Sequence, residues 1–315
     1  MMDNVTVQFP QLPAAVSGER HSLDGRLGYY VDGPAPTKPK EAHSPPLLLI
    51  HSVNAAASAY EVKPLYEFYR RSRPVYALDL PGFGSSDRSK AAYTPRLMTD
   101  AIHAMVLEIR RAHGDSPIDA IALSLSCEFL ARAAVEAGKM FRSIALISPT
   151  GFDRNAPYFG PPGSTRANLV VYRVVTFRLW RRSLFFLLVS RPSIRFFLRK
   201  TWGSAEIDEG LARYDYLTAH QEGAWWAPYY FVSGFLFSGD ISRIYQSLQM
   251  PVFMAYGVRG DFTDYRAKSS VQIKRNWTVE EFQTGALPHF ETLDVFTQRY
   301  DAFLGSAEPD ASERR

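Results

Sequence analysis

Short continuous apolar runs alternate along this chain with longer stretches in which apolar residues recur at helical spacing. The first pattern predicts strands buried on both faces, and the second predicts amphipathic helices. Leu47–Ile50, Val75–Leu78, Ile118–Leu123, Ser143–Ile147 and the run from Pro251 to Gly257 are of the first kind. Leu27–Val31 and Trp277–Phe282 read as further strands. Helices are expected near Glu61–Arg71, from Thr94 to His113, over 125–137 and near Leu293–Leu304. Thr94 followed by Pro95 is a cap with proline at the first helical position. In the helix that follows, Leu97, Ile102, Met105, Val106 and Ile109 point inward. Such alternation predicts an α/β fold, a mostly parallel sheet flanked by helices. The pattern breaks near residue 152 and resumes at Pro251. The segment between is helical, aromatic and rich in arginine. It reads as a helical lid inserted over the carboxyl edge of the sheet, where ligands bind in open α/β folds. The expected division is a core of 1–150 and 246–305, a lid of 151–245 and a frayed polar tail of 306–315. A mixed leader covers residues 1 to about 20, and a proline-rich loop runs from Gly33 to Pro46.

Composition narrows the picture only a little. The 315 residues are 46% hydrophobic, ample for a sizeable core. A formal net charge of +4 is too small to argue for nucleic acid. The lone cysteine, Cys127, excludes an intramolecular disulfide framework and fits a reducing, cytoplasmic setting. No basic segment precedes a start-proximal apolar run, and no uncharged apolar stretch reaches about 18 residues, so neither a signal peptide nor a membrane span is expected. No internal repeat, CxxC pair or metal-spaced cluster is seen, so no metal or cofactor is expected.

The chemistry centres on Ala122-Leu123-Ser124-Leu125-Ser126. A strand ends there and a helix begins. A serine on that turn projects its hydroxyl over the sheet, beside the N–H groups of a helix N-terminus that favour negative charge. The usual pattern is G-x-S-x-G, and neither flanking glycine is present. Taking Ser126 as the centre would put Glu128 where a small residue is needed, so Ser124 is preferred.

Four stretches together resemble the α/β-hydrolase family. Asp79-Leu80-Pro81-Gly82-Phe83-Gly84-Ser85-Ser86 is similar to its D-x-P-G-x-G-x-S loop. His51-Ser52 resembles the HG that opens its oxyanion loop, and Leu287-Pro288-His289-Phe290-Glu291 its histidine loop. Ser124 fits its nucleophile elbow, and the order Ser, Asp, His agrees. The resemblance covers residues 22 to 305 or so. It implies a serine hydrolase of the carboxylesterase type with Ser124 as nucleophile, His289 as base and an aspartate to orient it. A serine hydroxyl needs a base within reach, histidine titrates near neutrality, and a carboxylate holds its tautomer. Asp261 and Asp264 compete for the last role. The family's spacing after the strand-ending glycine favours Asp261, and Asp264 is the candidate for a helix cap. The resemblance also implies the backbone N–H groups of Val53 and Leu125 as the oxyanion hole. For Leu125 the helix position argues independently. Asn54, with Ser52 and Ser58, could add side-chain hydrogen bonds. His51 has a simpler reading, a pin for its loop. The run from Asn54 to Ala59 loosely resembles the G-P-G-A-S stretch of carbon–carbon-bond hydrolases of ring-cleavage products, without its glycines.

From Arg154 to Ala205 there are ten Arg or Lys and no Asp or Glu. They alternate with aromatic and aliphatic residues in a pattern of two amphipathic helices broken at Pro192. Such helices can lie on anionic membrane surfaces, face an acidic substrate, pack in a homodimer, or cover a pocket with their arginines solvated. Trp225 and Trp226 belong to a second aromatic cluster that could be the lid's own core or line a pocket for a bulky apolar group, and the pocket is the reading preferred. The expected substrate is a small hydrophobic ester or acyl compound. Cleavage of a carbon–carbon bond by the same triad, and a non-catalytic binding protein on a hydrolase scaffold, are the competing readings.

Overall fold

The apolar runs become the centre of one sheet. The computed structural model describes residues 12–34, 45–153, 158–262 and 264–306. Most of the expected leader, the loop at 35–44, Arg154, Thr263 and the tail beyond Ser306 lie outside the described residues. The strands are β1 (Glu19–Leu23), β2 (Leu27–Asp32), β3 (Leu47–Ile50), β4 (Val75–Leu78), β5 (Ile118–Leu123), β6 (Phe141–Ile147), β7 (Val252–Gly257) and β8 (Trp277–Phe282). Their order is β1-β2-β4-β3-β5-β6-β7-β8. β2 runs antiparallel to β1 and β4, and every other pair is parallel.

Leu47 to Ile50 show why the middle strands lack alternation: all four are fully buried. Leu48 and Ile50 face a core layer with Ile102, Met105 and Phe129, while Leu47 and Leu49 face another with Leu65, Tyr66 and Phe296. Each such side chain contributes about 1.5–3 kcal/mol by leaving water. On the first face lie α2 (Pro95–His113) and α3 (Ser126–Glu136). On the second lie α1 (Lys63–Tyr69) and, at the chain's end, α12 (Leu293–Ser306). In α2 the Thr94 hydroxyl accepts from the Leu97 N–H at 3.2 Å, as a cap should. β1 was not anticipated. Its exposed, polar sequence carries no buried face, and among the described residues β2 alone supplies its pairing partner.

Between β6 and β7 come α4 (Leu169–Val175), α5 (Arg181–Leu188), α6 (Arg191–Trp202), α7 (Glu209–Ala219), α8 (Trp226–Val232) and α9 (Ile241–Ser247). Pro192 opens α6 rather than breaking a helix; the interruption falls at Val189 and Ser190. Two short helices, α10 (Ser269–Gln272) and α11 (Pro288–Glu291), follow β7 and β8. The end of α6 is stitched to both loops at the sheet's carboxyl edge. Asp261 N–H donates to the Lys200 carbonyl at 3.1 Å, and Ala286 N–H donates to the Thr201 carbonyl at 2.8 Å. Contact is so close there that a Cβ on Gly285 would lie 2.4 Å from the Thr201 oxygen. Among the described residues no helix is long and apolar enough to cross a membrane.

Candidate active site

At the end of β5 the chain turns in a single residue. Ser124 takes φ +51°, the left-handed region, and α3 begins two residues later. That conformation costs a residue with a Cβ about 1–2 kcal/mol. It is held from both sides: Ser124 N–H donates to the Ile147 carbonyl at 2.8 Å, and its own carbonyl accepts from Cys127 N–H at 3.1 Å. Leu125 is the first residue of the turn into α3, which puts its N–H at the positive end of the helix. Ala122 and Ser126 stand where glycines are usual, and both are fully buried. The Ser126 hydroxyl has no hydrogen-bond partner among the described residues, so it is accommodated and not engaged.

The loop after β3 is braced from beneath. Leu80 N–H donates to His51 Nε2 at 2.9 Å, which leaves the proton on Nδ1, 2.6 Å from the Ser52 carbonyl. His51 is thus a pin. The Glu61 carboxylate, 4% exposed, collects three donors. Ser52 N–H reaches Oε2 at 2.7 Å, and Ser52 Oγ and Asn54 Nδ2 reach Oε1 at 3.0 and 2.6 Å. Asn54 Oδ1 in turn accepts from Ala56 N–H at 2.7 Å. Asp79 ties the next loop down, accepting from Ala59 N–H and from Ser85 N–H and Oγ. Gly84, at φ +50°, lies against this carboxylate, where a Cβ would come within 2.0 Å. The D-x-P-G-x-G-x-S motif is therefore a scaffold.

The structure does not bring His289 and Asp261 together. His289 is fully buried, its Nε2–H donates to the Glu61 carbonyl at 2.8 Å, and its Nδ1 has no partner among the described residues. Burial pushes its pKa down to about 4, so the ring is neutral. Asp261 lies at the surface with its carboxylate 2.5 Å from Lys200 Nζ. Asp264 pairs with Arg266, its Oδ1 also taking the Arg266 N–H, as an acid ahead of a helical turn does.

Ser124 opens into a cavity of about 420 Å³. Ligand pockets generally span about 300–1,000 Å³. Its apolar wall is built from Leu188, Val189, Ile194, Leu198, Leu211 and Phe231. Val53, Asn54, Ser52, Glu61, Asp215 and Ser148 add to the lining. The expectation for Trp225 and Trp226 is corrected: neither lines this cavity. Trp225 is buried in the core beneath Arg182, and Trp226 lies under Arg181 and Lys90. At the far end of α8, Phe231 and Val232 take the lining role. A wider polar cleft of about 670 Å³, bounded by Arg20, Ser85, Arg88 and Glu222, holds none of the candidate catalytic side chains.

Four residues were missed from sequence. Asp215 in α7 is 5% exposed, and its Oδ1 has no partner among the described residues. Burial, then the charges of Glu61 and Asp208, hold its pKa well above the carboxylate range. Glu61 could have been marked by its place in the small-residue loop, but Asp215 gives no signal inside an ordinary amphipathic helix. Ser148 repeats the strained geometry one strand over, at φ +49°, and its hydroxyl is committed to the Ala286 carbonyl at 2.7 Å. Glu128 joins α3 to the helical segment, accepting from Thr150 Oγ1 at 2.6 Å and Ser238 N–H at 2.8 Å, and burial pushes its pKa up to about 7. Among the described residues no cluster of three or more His, Cys, Asp or Glu is arranged to hold a metal ion.

A family described as alpha/beta hydrolase fold matches residues 45–225, more than half of the chain. No curated protein matches the sequence. Among solved structures, a probable hydrolytic enzyme from Pseudomonas aeruginosa PAO1 superposes with a TM-score of 0.68 at 18% identity, over 91% of this chain and 93% of that one. The carboxylesterase CesB (YbfK) from Bacillus subtilis gives 0.65 at 17% identity, over 91% of each chain. A meta-cleavage product hydrolase, CumD, from Pseudomonas fluorescens IP01 gives 0.65 at 16%, over 92% of this chain and 98% of that one. At these identities the likeness is one of fold.

Proposed function

Since the chain belongs to the α/β-hydrolase fold family, we propose that it is a cofactor-independent serine hydrolase cleaving a carboxylic ester with a bulky apolar acyl part. The observation that carries this reading is Ser124, strained at φ +51° between strand and helix and facing a largely apolar cavity. Strain of this kind persists only where the surroundings over-determine it, and it collects at reacting groups. In the proposed reaction Ser124 Oγ attacks the ester carbon, and its proton passes to His289. The N–H groups of Val53 and Leu125 stabilise the oxyanion. The alkoxide leaves with the proton, and water then resolves the acyl-enzyme. Asp261 is the proposed orienting acid. Its role asks for two exchanges from the arrangement described: His289 leaves the Glu61 carbonyl, and Asp261 leaves Lys200. The unpartnered oxygen of Asp215 favours a substrate whose apolar body carries one hydrogen-bonding polar group.

The test is a panel of nitrophenyl esters graded in acyl length and bulk, run with the parent chain and Ser124→Ala. The expected result is a preference for bulky acyl groups, lost in the variant. The second reading is carbon–carbon-bond hydrolysis of a ring-cleavage product, for which the fold shared with CumD is the motive. Turnover of such a coloured dienone, with every ester inert, would favour it.

A further inference from the structure

The α4–α6 segment turns its apolar side outward. Leu179, Leu187 and Val170 are 76%, 71% and 70% exposed, and Trp180 and Phe196 are about half exposed. Ten of the nineteen large hydrophobic residues exposed among the described residues fall between Leu169 and Phe197. A monomeric soluble protein rarely leaves such a patch uncovered. Residues 158–205 also hold nine Arg or Lys and no Asp or Glu. Arg195 pairs with Glu209 and Lys200 with Asp261, outside the segment or at its edge. Arg173, Arg178 and Arg182 have no acidic partner among the described residues. Phe197, Val232 and Phe262 are exposed and also line the cavity that holds Ser124, so its mouth opens beside this face.

We infer that the outer side of α4–α6 is a docking surface for an anionic lipid bilayer. Three features select that occupant. Apolar side chains interleaved with arginines match the acyl and headgroup layers of a bilayer, because the arginine stems lie along apolar surface while the guanidinium reaches the phosphates. Each cation near an anionic leaflet contributes about 1 kcal/mol. A second copy of the chain would set this wholly cationic face against itself, and like charges brought together cost several kcal/mol. Docked this way, the cavity mouth meets the layer where apolar substrates concentrate.

The experiment is co-sedimentation of the full chain with vesicles of phosphatidylcholine alone or mixed with phosphatidylglycerol. Parent protein should bind the mixed vesicles more than about tenfold better, and the advantage should shrink in high salt. Leu179→Glu and Leu187→Glu, at surface positions away from the cavity lining, should each weaken binding while leaving hydrolysis of a short soluble ester unchanged. Binding is read without turnover, and Ser124→Ala should sediment like the parent, so failure of the proposed reaction leaves the result intact. Equal partition to both vesicles, no partition to either, or a dimer that Leu179→Glu dissociates would overturn the inference.

Discussion

Replacing Glu61 by glutamine keeps its size and removes one acceptor. All three groups around the carboxylate are donors: the Ser52 N–H, the Ser52 hydroxyl and the Asn54 amide. Whichever way the new amide lies, its NH2 faces at least one of them. The least damaging orientation keeps the oxygen at the Oε1 position and turns the NH2 toward the Ser52 N–H. A hydrogen bond to a charged group, worth about 1.5–3 kcal/mol, is then lost, and a buried donor is left unsatisfied. Destabilisation by about 2–4 kcal/mol is expected, a large part of the 5–15 kcal/mol typical of a folded domain. Because Ser52 adjoins Val53, the proposed oxyanion donor, kcat should fall as well, by about 10²-fold if that N–H is misplaced. Urea unfolding at neutral pH reads the first quantity as a lower midpoint with an unchanged slope. Turnover of the best ester reads the second. A midpoint matching the parent, corresponding to less than about 0.5 kcal/mol, would show that the carboxylate is not the brace of this loop.

Ser124→Gly should be more stable than Ser124→Ala by about 0.5–1 kcal/mol: glycine escapes the left-handed penalty of about 1–2 kcal/mol and gives back part of it in chain entropy. Equal urea midpoints would argue against strain at the elbow. His289 is neutral when folded down to about pH 4, whereas an unfolded chain takes the proton near 6.5. Stability should therefore fall as pH drops between those values, by up to about 3 kcal/mol, and His289→Gln should flatten that slope. Asp215 has the opposite sign: folded, it holds a proton that the unfolded chain releases above about pH 4. Asp215→Asn should thus gain stability over the parent as pH rises above about 4, and parallel profiles would place the carboxyl in water.

Fold was far more legible than site. Leu47–Ile50, Ile118–Leu123 and Trp277–Phe282 were readable to the residue because burial on both faces, or a turn signal at each end, bounded them. Thr94-Pro95 marked a helix start for the same local reason. The turn at Ser124 was readable because strand, turn and helix follow each other in the chain. What escaped depends on distant partners. Glu61 and Asp215 meet only because α7 folds back over the loop after β3, a packing that periodicity does not encode. Trp225 looked like a pocket residue because aromatic clusters serve both pockets and cores, and the direction α8 faces decided for the core. Asp261 and His289 were paired by the resemblance to the family, through its histidine loop and the place of its acid after the strand-ending glycine. In the structure, the Lys200 ion pair and the Glu61 carbonyl hold them apart.

The proposed reaction stands or falls on Ser124 as nucleophile. Treating the folded protein with a fluorophosphonate and mapping the adduct by mass spectrometry reads this without a substrate. One adduct per chain is expected, on the peptide bearing Ser124, with none formed by Ser124→Ala or Ser124→Gly. A folded parent protein that stays unlabelled, or an adduct that persists in both variants, would contradict it.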